Sequence, residues 1–153
     1  MNELIGIKGW IELQHFDKNG NLIEKRNINN TVTNAGKAAI AGLANGVVTT
    51  PFTYIALGTG TSEITETSTA LTSEITTNGG ARASATCSRT TTTVTNDTAQ
   101  LEHTFNFTGS LAISETGVFD SASGGTMLSG TTMSTLNVAS GDSLTLTWKI
   151  KFS

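Results

Sequence analysis

Few residues of this chain could do chemistry, and their spacing limits what that chemistry would be. The stretch "IALGTGTSE" (residues 55–63) places Gly58 and Gly60 directly after an apolar, strand-like run, where a dinucleotide-binding loop would begin. Such a loop needs a third glycine packed against a helix and the N-terminal amides of that helix facing the phosphate. Here Glu63 takes the third position, and "ITETSTALTSEITTNGG" after it is rich in β-branched residues without a 3.6-residue apolar stripe. A carboxylate repels phosphate and no helix stands ready to bind it, so Gly58 and Gly60 are expected to turn the chain at the end of a strand. A Walker loop is excluded as well, because no G-K-[ST] follows at the required distance.

Nucleophilic catalysis needs a histidine within reach of a serine or cysteine. His15 falls at the end of a strand-like segment near Asn19-Gly20, and His103 shares a face with Leu101, Phe105 and Phe107; neither stands in a G-x-S-x-G elbow. Cys87 alternates with Ala83 and Ala85, the spacing of a small buried side chain in a strand. Glu63, Glu66, Glu74, Glu115 and Asp120 are the carboxylates a glycosidase would draw upon. The aromatic fraction of 6% leaves little for a sugar platform, and they are read as surface or turn residues. No D-x-[DN]-x-[DN]-G calcium loop occurs, so neither a metal nor a cofactor is expected. The sequons beginning at Asn29, Asn96 and Asn106 are what a chain rich in Thr and Asn contains by chance.

The elements that position these residues are mostly strands. In "SLTLTWKIKF", Leu144, Leu146, Trp148, Ile150 and Phe152 fall on one face and Thr145, Thr147, Lys149 and Lys151 on the other, the period of a half-buried strand. Ser140, Gly141 and Asp142 before it form a turn. Ile5, Ile7, Ile11 and Leu13 alternate in the same way, and Asn19-Gly20 predicts a type I′ turn closing a hairpin over residues 4–30. One helix is expected in "TNAGKAAIAGLANG", capped by Thr33 or Asn34 and stopped at Asn45-Gly46, its small residues allowing a close approach to a sheet. "FTYIALG" reads as a strand, "TALTSEI" as a weaker one, and further strands follow in "RASATCSRTTTTVTN", "AQLEHTFNFTG", "LAISETGVFD" and "GTMLSGTTMSTLNV". Evenly spaced short strands with one helix predict a single mainly β domain over residues 1–153, an antiparallel β-sandwich or jelly-roll-like fold.

Composition narrows the partners. With 153 residues the chain buries a core unaided, and a single cysteine forms no intrachain disulfide. A net charge of −3 with nine scattered Lys and Arg residues argues against nucleic acid, and no apolar run suits a membrane or a secretory leader. Threonine supplies roughly one residue in five and only 14% of residues are charged, against about 25% in ordinary soluble domains. Such a surface loses little on being covered, which suits a subunit of an assembly.

Taken in order, "NTVTNAGKAAIAGLANG", "FTYIALGTGTSE" with "TALTSEI", Arg82, "ISETGVFD" with "SGGTML", and "VASGDSLTLTWKIKF" resemble small bacteriophage virion proteins of the head-decoration or tail-fibre-like kind, from about residue 30 to the C-terminus. The resemblance implies a non-enzymatic β-domain made in the host cytoplasm and carried in the virion. Its partners would be the major capsid protein or other virion proteins, and it would form a homo-oligomer, a trimer or dimer. Gly58 and Gly60 would then supply backbone angles closed to other residues, and Gly117 a turn. Glu115 would be a structural carboxylate that accepts backbone amides or pairs with Arg82. Three functions compete: a capsid decoration or cement protein, a tail fibre, baseplate or adaptor component, and a small lectin or hydrolase. The short single domain favours decoration, since fibres carry shafts or repeats. Trp10 and Phe16, opposite the face of Ile7 and Ile11, are the candidates for a contact with a neighbour, unless the domain's own core covers them.

Overall fold

The computed structural model describes residues 6–153; Ile5 of the N-terminal alternation lies outside the described residues. Among them are β1 (Ile7–Phe16), β2 (Leu22–Val32), α1 (Asn34–Asn45), β3 (Tyr54–Gly58), β4 (Ala83–Ser84), β5 (Thr86–Thr90), β6 (Thr98–Asn106), β7 (Leu111–Phe119), β8 (Met127–Val138) and β9 (Ser143–Phe152). The domain is mainly β, as the strand spacing predicts. None of its described helices is long and apolar enough to cross a membrane.

β1 and β2 form the expected hairpin, but its turn is not type I′. That turn needs positive φ at both central residues, and of the pair only Gly20 has it, at 81°. The loop instead closes through the Gly20 amide on the Asp17 carbonyl, while the Asp17 carboxylate accepts the Asn19 and Asn21 amides at 2.8 and 3.0 Å. At the hairpin's base Thr33 caps α1: its Oγ1 accepts the Gly36 amide at 2.9 Å and donates to the Met127 carbonyl at 2.6 Å, tying the helix start to β8. A Cβ at Gly36 would come within 2.9 Å of the Leu128 Cα and closer still to its carbonyl oxygen, so the small residue lets the helix touch the strand.

The strand order is β4-β3-β7-β8-β2-β1-β9-β6-β5, every neighbouring pair antiparallel. Two crossings fold this ribbon into two layers. β2 pairs with β1 through residues 22–30 and then with β8 through Thr31 and Val32. At the other end Ala83 and Ser84 pair with β3, Thr86–Thr90 pair with β6, and Ala85 alone separates them, its amide on the Thr53 carbonyl at 2.7 Å. The sandwich is thus nearly closed into a barrel, which leaves little free edge for unwanted pairing. Between the layers pack Leu144, Leu146, Trp148 and Ile150 of β9, Ile11 and Leu13 of β1, Leu101 and Phe105 of β6, and Ile55, Leu57, Ile113 and Val118 from β3 and β7.

"TALTSEI" does not form the weaker strand expected of it; only Glu74 makes a bridge, to Gly58. The Thr72 and Ser73 amides, which a ladder would use, are directed to a side chain instead.

Candidate functional site

That side chain is Glu115. On β7, directly across from Gly58 of β3, it is fully buried, and its two oxygens accept the Ser73 amide at 3.0 Å and the Thr72 amide at 3.2 Å. The segment after Gly60 is thereby folded over the end of β3, with the Thr59 amide on the Ser73 carbonyl and the Ile75 amide on the Leu57 carbonyl. Ser114 Oγ donates to the Gly60 carbonyl at 2.8 Å.

Gly58 and Gly60 have a different reason from the one the turn reading supplies. Neither takes a positive φ. A Cβ on Gly58 would stand 2.5 Å from Glu115 Cγ, and one on Gly60 would overlap Glu115 Oε2 and sit 2.7 Å from Thr72 Cβ. The two glycines make room for the carboxylate. Gly117 is no turn either: it lies within β7, opposite Ala56 and Gly130, where Leu71 and Met127 Sδ would crowd a Cβ at 3.2 Å.

Arg82 is taken up elsewhere. Its guanidinium forks onto Glu74, Nε to Oε2 at 3.0 Å and Nη2 to Oε1 at 2.6 Å, and Nη1 donates to the carbonyls of Ser121 and Gly124 at 2.9 and 2.8 Å. It also lies over the Phe119 ring, 3.7 Å from the centroid. Of the two roles open to Glu115, the amides are the contacts observed. No periodicity in the sequence joins Glu74 to Arg82 eight residues on; the fold around Glu115 brings them together.

The turn at Gly141 and Asp142 forms, with Gly141 at φ 91°. Sequence reasoning missed what Asp142 holds: its Oδ2 accepts the Ala139 amide at 2.9 Å and meets His15 Nε2 at 2.9 Å, both side chains buried. The Ala139 amide, then His15, keep the Asp142 carboxyl below the usual carboxylate range. A carboxyl depressed on folding adds stability that is fully present above its unfolded pKa of about 3.9 and is lost as pH falls through the folded value. Asp142→Asn is therefore expected to melt below the parent at pH 7, by about 2 kcal/mol for a hydrogen-bonded charged group. The gap should narrow below about pH 4 in thermal melts followed by circular dichroism. An equal gap at pH 7 and pH 3 would contradict that role.

Cys87 is exposed, not the small buried side chain expected from its alternation with Ala83 and Ala85. The chain changes sheets at Ala85, so the alternation does not run through; partial desolvation still pushes the thiol pKa up. His103 is half-buried against the edge of Phe105, and burial lowers its pKa. Glu63 and Glu66 are exposed, and Asp120 accepts the Thr126 amide at 2.8 Å. The carboxylates thus converge on no shared cleft, and no group of three or more His, Cys, Asp or Glu among the described residues could hold a metal ion.

Two surface features complete the picture. Trp10 and Phe16 are half-buried on the outer face of β1, Trp10 in its first half and Phe16 as its last residue. Near Phe16 the register skips Ile23, pairing His15 with Glu24 and Phe16 with Leu22, and leaves Leu22 51% and Ile23 55% exposed. Along the same outer face Thr104 and Thr145 share a hydrogen bond at 2.8 Å, Thr147 donates to Glu102 at 3.0 Å and Lys149 to Glu12 at 3.2 Å. Compared with protein-family models, curated proteins and solved structures, the chain matches none.

Proposed function

We propose that the chain is a non-enzymatic structural subunit of a bacteriophage particle, most specifically a decoration protein that seats on the major capsid shell and stabilises it. The observation that carries this reading is the fate of the resembling motifs. "ALGTGT", "TALTSE" and "SETG" meet in one closed packing knot around Glu115. A motif set used up in packing specifies a scaffold, and recognition is left to the outer faces. Near the hairpin tip the outer face carries the uncharged Gln14, Thr104 and Thr145, which desolvate at little cost, and the tip itself offers the half-buried Phe16 with the exposed Leu22 and Ile23 as an apolar contact. Closed dimers or trimers built through that tip would follow the usual symmetry of homo-oligomers.

Electron microscopy of phage particles labelled with an antibody to this protein tests the reading. Label over the head supports decoration; label confined to the tail replaces it with a fibre, baseplate or adaptor component. Leu22→Glu with Ile23→Glu is expected to leave the monomer folded but lower its occupancy on particles at least tenfold, since two charges would enter an apolar contact. Undiminished occupancy would remove the hairpin tip from the interface.

A further inference from the structure

The other end of β1 carries a cleft of about 260 Å³ lined by Lys8, Trp10, Asn29, Thr92 and Lys151. Its composition follows from register. Lys8 stands directly across from Lys151 of β9, and Trp10, two residues on and so on the same face, stands across from Asn29 of β2. Thr92 comes from the loop before β6, held by the Asp97 carboxylate on the Thr92, Thr93 and Val94 amides at 2.8 to 2.9 Å.

Two lysines directly opposite on one face repel each other, and among the described residues neither has a carboxylate partner. Their neighbour Lys149 differs, being paired with Glu12 at 3.2 Å. Asp97, on the adjoining loop, is committed to three amides and the Thr98 hydroxyl. In a chain of net charge −3, this spot is locally cationic, and an anion between the ammonium groups converts a repulsion into two charge-assisted hydrogen bonds. Beside it lie the groups that fix a polyhydroxylated ring: a partly exposed indole, an amide and the Thr92 hydroxyl, which donates to Thr98 at 2.6 Å and keeps its oxygen as an acceptor.

We propose that this cleft binds an acidic saccharide unit, its ring against Trp10, its carboxylate or sulfate between Lys8 and Lys151, and its hydroxyls bonded to Asn29 and Thr92. A single aromatic in a short cleft suits one sugar ring, whereas single-stranded nucleic acid calls for a basic groove with successive stacking platforms. The site lies at the opposite end of β1 from the hairpin tip, so it holds whether the protein sits on the head or the tail.

Tryptophan fluorescence reads the site directly, because the chain has two tryptophans and Trp148 is 0% exposed. The titrants are trigalacturonate, sialyllactose and a heparin-derived tetrasaccharide, with maltotriose, inorganic phosphate and oligo-dT as comparisons. At least one acidic oligosaccharide is expected to give saturable, salt-sensitive quenching, weakened about tenfold or more by Lys8→Gln with Lys151→Gln. Calorimetry on Trp10→Leu should show the same loss with an unchanged melting temperature. The proposal is overturned if none of the three saturates below about 10 mM, if the lysine variants bind as the parent does, or if maltotriose, phosphate or oligo-dT matches the acidic sugars.

Discussion

Alanine at Gly60 is expected to destabilise the domain by about 3 kcal/mol, a fall in Tm of roughly 6–12 °C for a chain of this size. The added methyl would land on Glu115 Oε2 and 2.7 Å from Thr72 Cβ. The carboxylate cannot retreat, because the Thr72 and Ser73 amides hold both oxygens and the Gly58 backbone lies close to its stem. Backbone conformation is not the obstacle, since φ at Gly60 lies outside the left-handed region. Glu115→Ala separates the two explanations. Alone it strands two amides and opens a cavity, for a loss of about 3 kcal/mol or more. Combined with Gly60→Ala it removes the overlap with the carboxylate and leaves only the close approach to Thr72, so the double variant should lose clearly less than the sum of the singles. Additive losses in denaturant titrations would mean that Gly60 serves something other than Glu115.

Arg82→Ala is the second large effect, again about 3 kcal/mol. Removing one partner of a buried pair costs about 3–5 kcal/mol. The lower end applies because Glu74 keeps 28% of its side chain exposed while Arg82 keeps 5%. Besides Glu74, the guanidinium serves two carbonyls and the Phe119 face. Lysine retains the charge but lacks the planar fork, so Arg82→Lys should recover less than half of the loss. Hydrogen exchange locates the damage: amides of residues 120–126 should exchange faster in Arg82→Ala, while those of β9 keep their protection relative to global stability. The destabilisation should persist in 1 M salt, where surface pairs are screened. Disappearance of the difference there would reduce the contact to an exposed ion pair.

Local pattern was enough for several parts of this protein. Alternation of Leu144, Leu146, Trp148 and Ile150 with threonines and lysines marks β9, and β1 reads the same way, because side chains two apart in a strand share a face whatever the strand pairs with. The cap was legible as Thr33 or Asn34, of which the structure uses Thr33, and Gly141-Asp142 as a turn, since each works through residues no more than three apart. The placement of Trp10 and Lys8 on one face is equally local; the arrival of Lys151 opposite Lys8 depends on β1 and β9 being neighbours, and strand order is not written in periodicity. Cys87 was misread for a related reason, as the chain passes from one sheet to the other at Ala85 and the phase of the alternation is lost. Gly58 and Gly60 looked like residues chosen for their own backbone freedom. Only the packed structure brings Glu115, more than fifty residues away in sequence, into the space that their missing side chains leave open, and steric exclusion between distant segments has no signature until the strands have met.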